Sequence, residues 1–274
     1  MRYTAAPRRR DELLRRLEET GYVSSSAAAA ELGVSEMTIR RDLGQLAAEG
    51  RVRRVVGGAS LNGAPQPFDV RRTEAAREKD AVARAALPLL DGAVVVALDA
   101  GTTVASLARR LPPGRTVVTH SVPVITACTG RDDVELVALG GTYHRTTRSF
   151  AGPTTRAGLA ELAVDVAVLS ATAAGPAGVF SADPWDADTK RAMAAIAEKV
   201  VLLLDHHKLA ARAPMRVLGL DHVHAVVVDD GATPEQLAML REHCGSVVVA
   251  RASAPRAADQ TTGNGAAVPE AAAR

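Results

Sequence analysis

VSEMTIRRDL, residues 34–43, is the stretch from which the fold of this chain is read. Ser35 stands where an N-cap side chain accepts from the exposed backbone N–H groups of a following helix. Ile39, Leu43 and Leu46 then recur at i, i+4 and i+7, so one face packs inward and the opposite face stays free. Thr38, Arg40 and Arg41 project from the free face or its edge. A guanidinium fork meets guanine O6 and N7 or clamps a phosphate, and threonine meets a thymine methyl, so the segment reads as a DNA-recognition helix.

The neighbouring residues complete a winged helix-turn-helix over 1–61, with the helix-turn-helix itself at 23–42. Residues 11–20 carry Leu13, Leu14 and Leu17 at helical spacing and end at Gly21; Ser24 to Ser26 offer caps for the Ala-rich stretch that follows, and Gly33 with Val34 makes the tight connection. Residues 51–56 alternate arginine with valine and run into Gly57-Gly58, the pattern of a hairpin with a tight turn. Arg51, Arg53 and Arg54 are expected on phosphates beside the groove. Residues 1–60 hold eleven arginines, no lysine and eight carboxylates, a net of +3 against +2 for the whole chain, so the positive field belongs to this end. An Arg-Arg pair alone is a common solvated face; the turn, the three-helix spacing and the basic wing together carry the DNA assignment.

The 274 residues, 47% hydrophobic, suffice for this small domain and one of full size. No apolar run approaches the roughly 18 residues of a membrane span, and the arginine-rich first ten residues lack the apolar stretch of a secretory signal, so a cytoplasmic location is expected. Cys128 and Cys244 are far apart and without metal-ligand spacing, and both are expected to be buried small hydrophobes. Two prolines and a glycine between Asn62 and Phe68 mark a linker, set at 62–70. A long helix is expected over 71–90, with Val82, Ala86 and Leu90 on one face, Pro88 in its last turn and a charged first half bridging the domains. Short apolar runs then follow at 94–98, 117–118, 136–139, 164–169, 200–204, 226–228 and 247–249, separated by helical stretches. The chain is therefore α/β, with a mainly parallel sheet covered on both faces in a domain spanning 71–251 and a ligand site at the carboxyl ends of the strands. Residues 252–274, rich in Ala, Gly, Pro and Thr, read as a disordered tail.

At the end of the first of these strands, Asp99-Ala100-Gly101-Thr102-Thr103 brings backbone N–H groups and two hydroxyls to a helix start, an anion cradle by its composition, although such a turn is often no more than a capped helix. Lys208, beyond the strand at 200–204, is the candidate opposing cation. His206, His207, His222 and His224 are close in sequence without metal-ligand spacing; His207 is taken as a pocket hydrogen-bonder, the others as surface residues, and no metal or cofactor is expected. Trp185 reads as a partly buried anchor or a ligand contact.

The run YVSSSAAAAELGVSEMTIRRDLGQLAAEGRVRRVVGGA, residues 22–59, resembles the DNA-binding domain of the DeoR family of bacterial transcriptional regulators, with Ala28 where leucine is common and Val56 where histidine is common in the wing. The first implies a thinner core and the second a missing phosphate contact. The likeness continues to about residue 250 through LDAGTT (98–103), VTHS (118–121), LGG (139–141), Ser149 and Gly152, DADTKRAM (186–193) and DHHK (205–208). It implies an α/β/α effector domain similar in fold to ribose-5-phosphate isomerase, and a phosphorylated sugar as inducer. The phosphate would sit on the Thr102-Thr103 loop and Lys208, with Asp99, Gly141, Asp186 and Lys190 lining the rest. His120 for asparagine, Asp186 for glutamate and the His206-His207 pair depart from the family pattern and bear on which sugar is bound. The expected function is a ligand-responsive repressor of carbohydrate genes, a homo-oligomer on double-stranded operator DNA, not an enzyme. The rivals are an activator built from the same parts and a sugar-phosphate isomerase using Asp99, Asp186 and Lys190.

Overall fold

The computed structural model describes residues 5–20, 22–55, 57–61 and 66–252. The expected tail beyond residue 252, residues 62–65 of the expected linker and Val56 lie outside the described residues, and residues 68–70, also expected in the linker, are helical.

The head is built from α1 (Ala5–Thr20), β1 (Tyr22–Ser24), α2 (Ser25–Leu32), α3 (Glu36–Ala48), β2 (Val52–Val55) and β3 (Gly58–Leu61). Helix α1 begins six residues before the expected Asp11, because Pro7 falls in its first turn, where no intrahelical N–H is needed. Ser24 caps α2 and Ser35 caps α3, each accepting from the N–H three residues on. Gly33 closes α2 in the left-handed region at φ 64°, which a side chain would strain. Leu13, Leu14 and Leu17 of α1 meet Ile39, Leu43 and Leu46 of α3 in one buried cluster that includes the small Ala28. The sequence reading missed β1. It pairs with β3, making the wing hairpin β2–β3 a three-stranded antiparallel sheet.

The body begins with α4 (Phe68–Thr73) and α5 (Ala76–Ala86), followed by a short 3-10 turn, Leu87–Leu90. The single helix expected over 71–90 is thus broken. Ala75 adopts φ 48°, and the buried Lys79 ammonium donates to the carbonyls of Arg71 (2.5 Å) and Glu74 (2.6 Å) that the break exposes. Val82, Ala86 and Leu90 are nevertheless buried together, as the periodicity requires. Then come β4 (Val95–Leu98), α6 (Thr102–Ala108), β5 (Arg115–Thr119), α7 (Val122–Cys128), β6 (Val134–Ala138), the hairpin of β7 (Thr142–His144) and β8 (Ser149–Ala151), and α8 (Pro153–Ala160). The second half runs β9 (Val164–Ser170), β10 (Ala173–Gly175), β11 (Gly178–Ser181), α9 (Pro184–Ala195), β12 (Ala197–Leu204), β13 (Met215–Leu218), β14 (Ala225–Asp229), α10 (Pro234–His243) and β15 (Val247–Ala250).

Each of the seven apolar runs seen in the sequence forms a strand of one parallel sheet, ordered β15-β14-β12-β9-β4-β5-β6. Its central strands are buried on both faces, one against α5 and α6, the other against α8, α9 and α10, which explains their near-continuous valine and leucine, while the edge strands β6 and β15 are partly exposed. The chain moves outward from β4 to β6, returns to β9 beside β4, and moves outward again to β15. The β4/β9 junction is therefore a topological switch point, and the crevice beyond its carboxyl ends is the natural ligand position. A small antiparallel sheet, β10-β11-β13, stands beside that crevice. Cys128 is buried; Cys244, contrary to expectation, is only half-buried, at the end of α10. Among the described residues no helix is long and apolar enough to cross a membrane.

Candidate nucleic-acid interface and anion cleft

On the head, α3 buries Ile39, Leu43 and Leu46 and leaves Arg40 and Arg41 exposed. Arg40 pairs with Glu36 one turn earlier (2.6 Å), an exposed i,i+4 contact that a stronger phosphate or base partner can replace. Arg41 has no protein partner among the described residues. Thr38 is half-buried, its hydroxyl 2.9 Å from that of the capping Ser35. In the wing, Arg51 and Arg53 are exposed, while Arg54 donates from Nη1 to the carbonyl of Arg40 (2.7 Å), bracing the hairpin against α3. Asp42, on the inner side of α3, takes the Arg9 guanidinium at 2.5 Å and locks α1 across it. Sequence reasoning missed Met37. It is 65% exposed in the first turn of α3, an apolar side chain where solvent alone would favour a polar one.

The crevice at the β4/β9 junction is a cleft of about 750 Å³, within the range of small-molecule sites. A largely buried charge cluster forms part of its floor. Asp99, wholly buried at the end of β4, accepts from the backbone N–H of Ser170 (2.9 Å), from the Ser170 hydroxyl (2.6 Å) and twice from Lys190 Nζ (2.7 Å each). The third ammonium proton of Lys190 goes to Asp186 (2.9 Å), one turn back on α9, and Asp186 also accepts from Ser181 Oγ (2.5 Å). Burial alone would raise the Asp99 carboxyl, but Lys190 and His120 outweigh it and hold Asp99 far below the carboxylate range. Burial likewise opposes the Lys190 charge, and Asp186 and Asp99 outweigh it. Asp99 and Lys190 are therefore saturated by each other. Gly101 follows because its Cα passes against Ser170, where a Cβ would lie 2.1 Å from Oγ.

Above this cluster, at the floor of the cleft, a narrow niche is lined by Arg71, Lys79, Thr102, Thr103, Ser170, Asp205 and Lys208. Thr102 and Thr103 open α6, and neither hydroxyl caps it. Lys208 is half-buried in the turn after β12; its backbone N–H donates to Asp205, but its ammonium has no hydrogen-bonding or ion-pair partner among the described residues, and it lines both niche and cleft. Burial pushes the Lys79 ammonium down to about 8; the Lys208 and Arg71 charges push the same way, against Asp205 and Glu74. The Arg71 guanidinium lies over the Phe68 ring, and burial lowers it too. Three cations and two hydroxyls converge there with one carboxylate, Asp205, which leaves the niche net positive and suited to an anion.

Of the expected effector residues, Thr102, Thr103, Asp186, Lys190 and Lys208 reach the niche or cleft, and Asp99 and Gly101 lie directly beneath. Gly141 is not among the lining residues: at φ 147° it packs against Thr155 and Ala151, where no Cβ fits. Arg71 and Lys79 were missed as site residues; their only signal was the charged start of a helix otherwise read as a spacer. His207 lines the cleft, exposed and 3.3 Å from Asp205. His206 is no plain surface residue, since its Nδ1 lies 2.6 Å from the buried Asp229 carboxylate. His224 likewise has a structural task, its Nδ1 accepting from the Val200 N–H at 3.0 Å. His120 is fully buried, with Nδ1 donating to the Phe150 carbonyl (2.7 Å) and Nε2 3.6 Å from Asp99, inside the core and not at the ligand surface. Trp185 is 47% exposed beside the His144 ring and does not line the cleft. No group of three or more potential metal ligands occurs among the described residues.

Comparison with known proteins agrees with this division. The chain matches the DeoR-like helix-turn-helix domain over residues 9–64 and the DeoR C terminal sensor domain over residues 74–230. It is 30% identical to an L-fucose operon activator of Haemophilus influenzae, over 83% of this chain and 94% of that one. It is 28% identical to a putative aga operon transcriptional repressor of Escherichia coli O157:H7, over 88% and 93%. A solved ribose-5-phosphate isomerase with phospho-erythronic acid overlaps 48% of this chain and 52% of its own at 18% identity and a TM-score of 0.36, too little to bear on activity. With the sensor-domain family matched over more than half of the chain and the helix-turn-helix family matched ahead of it, this chain belongs to the DeoR family of transcriptional regulators.

Proposed function

We propose that the chain is a repressor of carbohydrate-utilisation genes whose hold on double-stranded operator DNA is set by a phosphorylated sugar in the cleft. The observation that carries this reading is Lys208, an ammonium without a protein partner, facing Lys79, Arg71 and two uncapped threonine hydroxyls across one niche. Asp205 offsets only part of that like charge, and a bound anion offsets the rest. Thr102, Thr103 and Lys208 hold the phosphate, and Asp186 and His207 on the cleft wall meet sugar hydroxyls. Asp99, Gly101 and Lys190 shape the floor from below, and Gly141 acts through packing. On the head, Ser35, Thr38, Arg40 and Arg41 face the major groove, while Arg51, Arg53 and Arg54 follow the phosphates. Two such heads on one homo-oligomer match repeated half-sites. A coupling of about 1–3 kcal/mol between cleft and head is enough to shift occupancy 5- to 150-fold.

The isomerase reading is disfavoured by the same geometry. A general base needs a pKa near the operating pH, whereas Asp99 is held far below it and its oxygens are filled by Lys190 and Ser170. The test is a mobility shift on the DNA upstream of the gene, with a panel of sugar phosphates and a parallel turnover assay. Release of the fragment by one compound that is returned unchanged supports the proposal. Conversion of that compound, with no retention of DNA at low salt, overturns it.

A further inference from the structure

The wall of the cleft is completed by the head. Arg53 and Arg54 of the wing line it together with Arg71 and Lys208 of the body. Arg54 is engaged with the carbonyl of Arg40. Arg53 reaches the body through Gln66: with that amide turned so that its oxygen accepts from Arg53 Nη2 (2.7 Å), its nitrogen donates to the Glu74 carboxylate (3.0 Å). The Gln66 backbone carbonyl in turn accepts from Arg71 Nε at 3.0 Å. One neutral side chain thus ties an exposed DNA-binding arginine to the rim of an anion cleft. A guanidinium presents five donors, and the Gln66 amide takes only one of them.

We propose that Arg53 is a ligand of both partners: it holds a backbone phosphate when the head is on DNA, and the anionic group of the effector when the cleft is filled. This rests on the reading of the cleft as a sugar-phosphate site. Arg53 is held at the cleft rim by the neutral Gln66 amide, against the charges of Arg71, Lys79 and Lys208, so a DNA phosphate can draw it away. A dianion at the niche reverses that sign and draws Arg53 inward. The two ligands then compete for one side chain, so the head loses a phosphate contact whenever the effector binds, and by linkage DNA weakens the effector to the same degree.

The experiment titrates inorganic phosphate into the full chain at constant ionic strength, and separately measures DNA affinity against salt, for wild type, Arg53→Gln, Arg41→Gln and Lys208→Ala. Lys208→Ala is expected to lose phosphate binding and keep DNA binding. Arg41→Gln should weaken DNA binding alone. Arg53→Gln is expected to lower phosphate affinity roughly tenfold, the worth of one charge-assisted contact. The same variant should reduce the slope of log affinity against log salt by about one. If Lys208→Ala lowers phosphate affinity and Arg53→Gln leaves it at the wild-type value, the shared-ligand proposal is wrong and the cleft reading stands. If neither variant changes it, the cleft reading fails and this proposal falls with it.

Discussion

Arg40 and Arg41 on α3 stand in solvent with no more than a local tie to Glu36, whereas Lys190 on α9 is buried and directs all three ammonium protons to Asp99 and Asp186. The head leaves these two cations without a buried counter-charge, as suits a polyanion that arrives from outside. Under the cleft the body pairs Lys190 with its own carboxylates, while the Lys208 ammonium at the niche is left without a partner among the described residues. The contrast separates residues that touch a ligand from residues that hold the site in shape, and it orders the effects of substitution.

The largest effect is expected beneath the cleft. Lys190→Met leaves Asp99 as a buried carboxylate without its counter-charge, and should destabilise the body by about 3–5 kcal/mol. Urea denaturation followed by Trp185, the only tryptophan of the chain and five residues before Lys190, measures this. A loss under 1 kcal/mol would mean the cluster is not saturated as described. In the head, Leu43→Ala opens a cavity among fully buried side chains and should cost about 2–5 kcal/mol, abolishing DNA retention while the Trp185 transition stays in place. A shift of both transitions together would show that head and body unfold as one unit. Arg41→Ala should weaken binding at the cognate site by about 1–3 kcal/mol and relax base choice there, with the Trp185 transition unmoved. Ser35→Ala removes the cap of α3 and should cost about 1 kcal/mol, seen as a lower helix melting temperature.

Lys79 supplies the smallest and most specific of these tests. Its folded value of about 8 lies below the ordinary lysine value, so between the two the native state has released a proton that the unfolded chain keeps. Stability therefore rises with pH across that window and is lost again as pH falls through 8. An anion in the niche favours the charged lysine, which gives the opposite trend for binding. Sulfate, dianionic throughout, should bind best below pH 8 and weaken by at most about tenfold per unit above it. Lys79→Gln should flatten that profile, and an unchanged profile would remove Lys79 from the site.

The recognition helix was legible because its signals are local. Ser35, Thr38, Arg40, Arg41 and the apolar stripe to Leu46 fall within twelve residues, and a 3.6-residue period places each on its face. The parallel strands were legible for a related reason, since burial on both faces writes an unbroken apolar run. The niche was not. It gathers Arg71, Lys79, Thr102, Thr103, Asp205 and Lys208 from α4, α5, α6 and the turn after β12, and no local period reports that convergence. The break at Ala75 was invisible because Lys79, which stabilises it, reads in sequence as an ordinary charged residue of a helix. The short β1 was missed since three residues carry too little alternation, and its partner β3 lies more than thirty residues on.

The most direct test of this division of labour is fluorescence anisotropy of the labelled upstream fragment, titrated with wild-type and Lys208→Ala protein in the presence and absence of the sugar phosphate that releases the wild type. Equal DNA affinity of the two proteins, with release confined to the wild type, is the predicted result. Release of both at the same concentration would contradict the account, because the ligand would then be acting at some place other than the cleft.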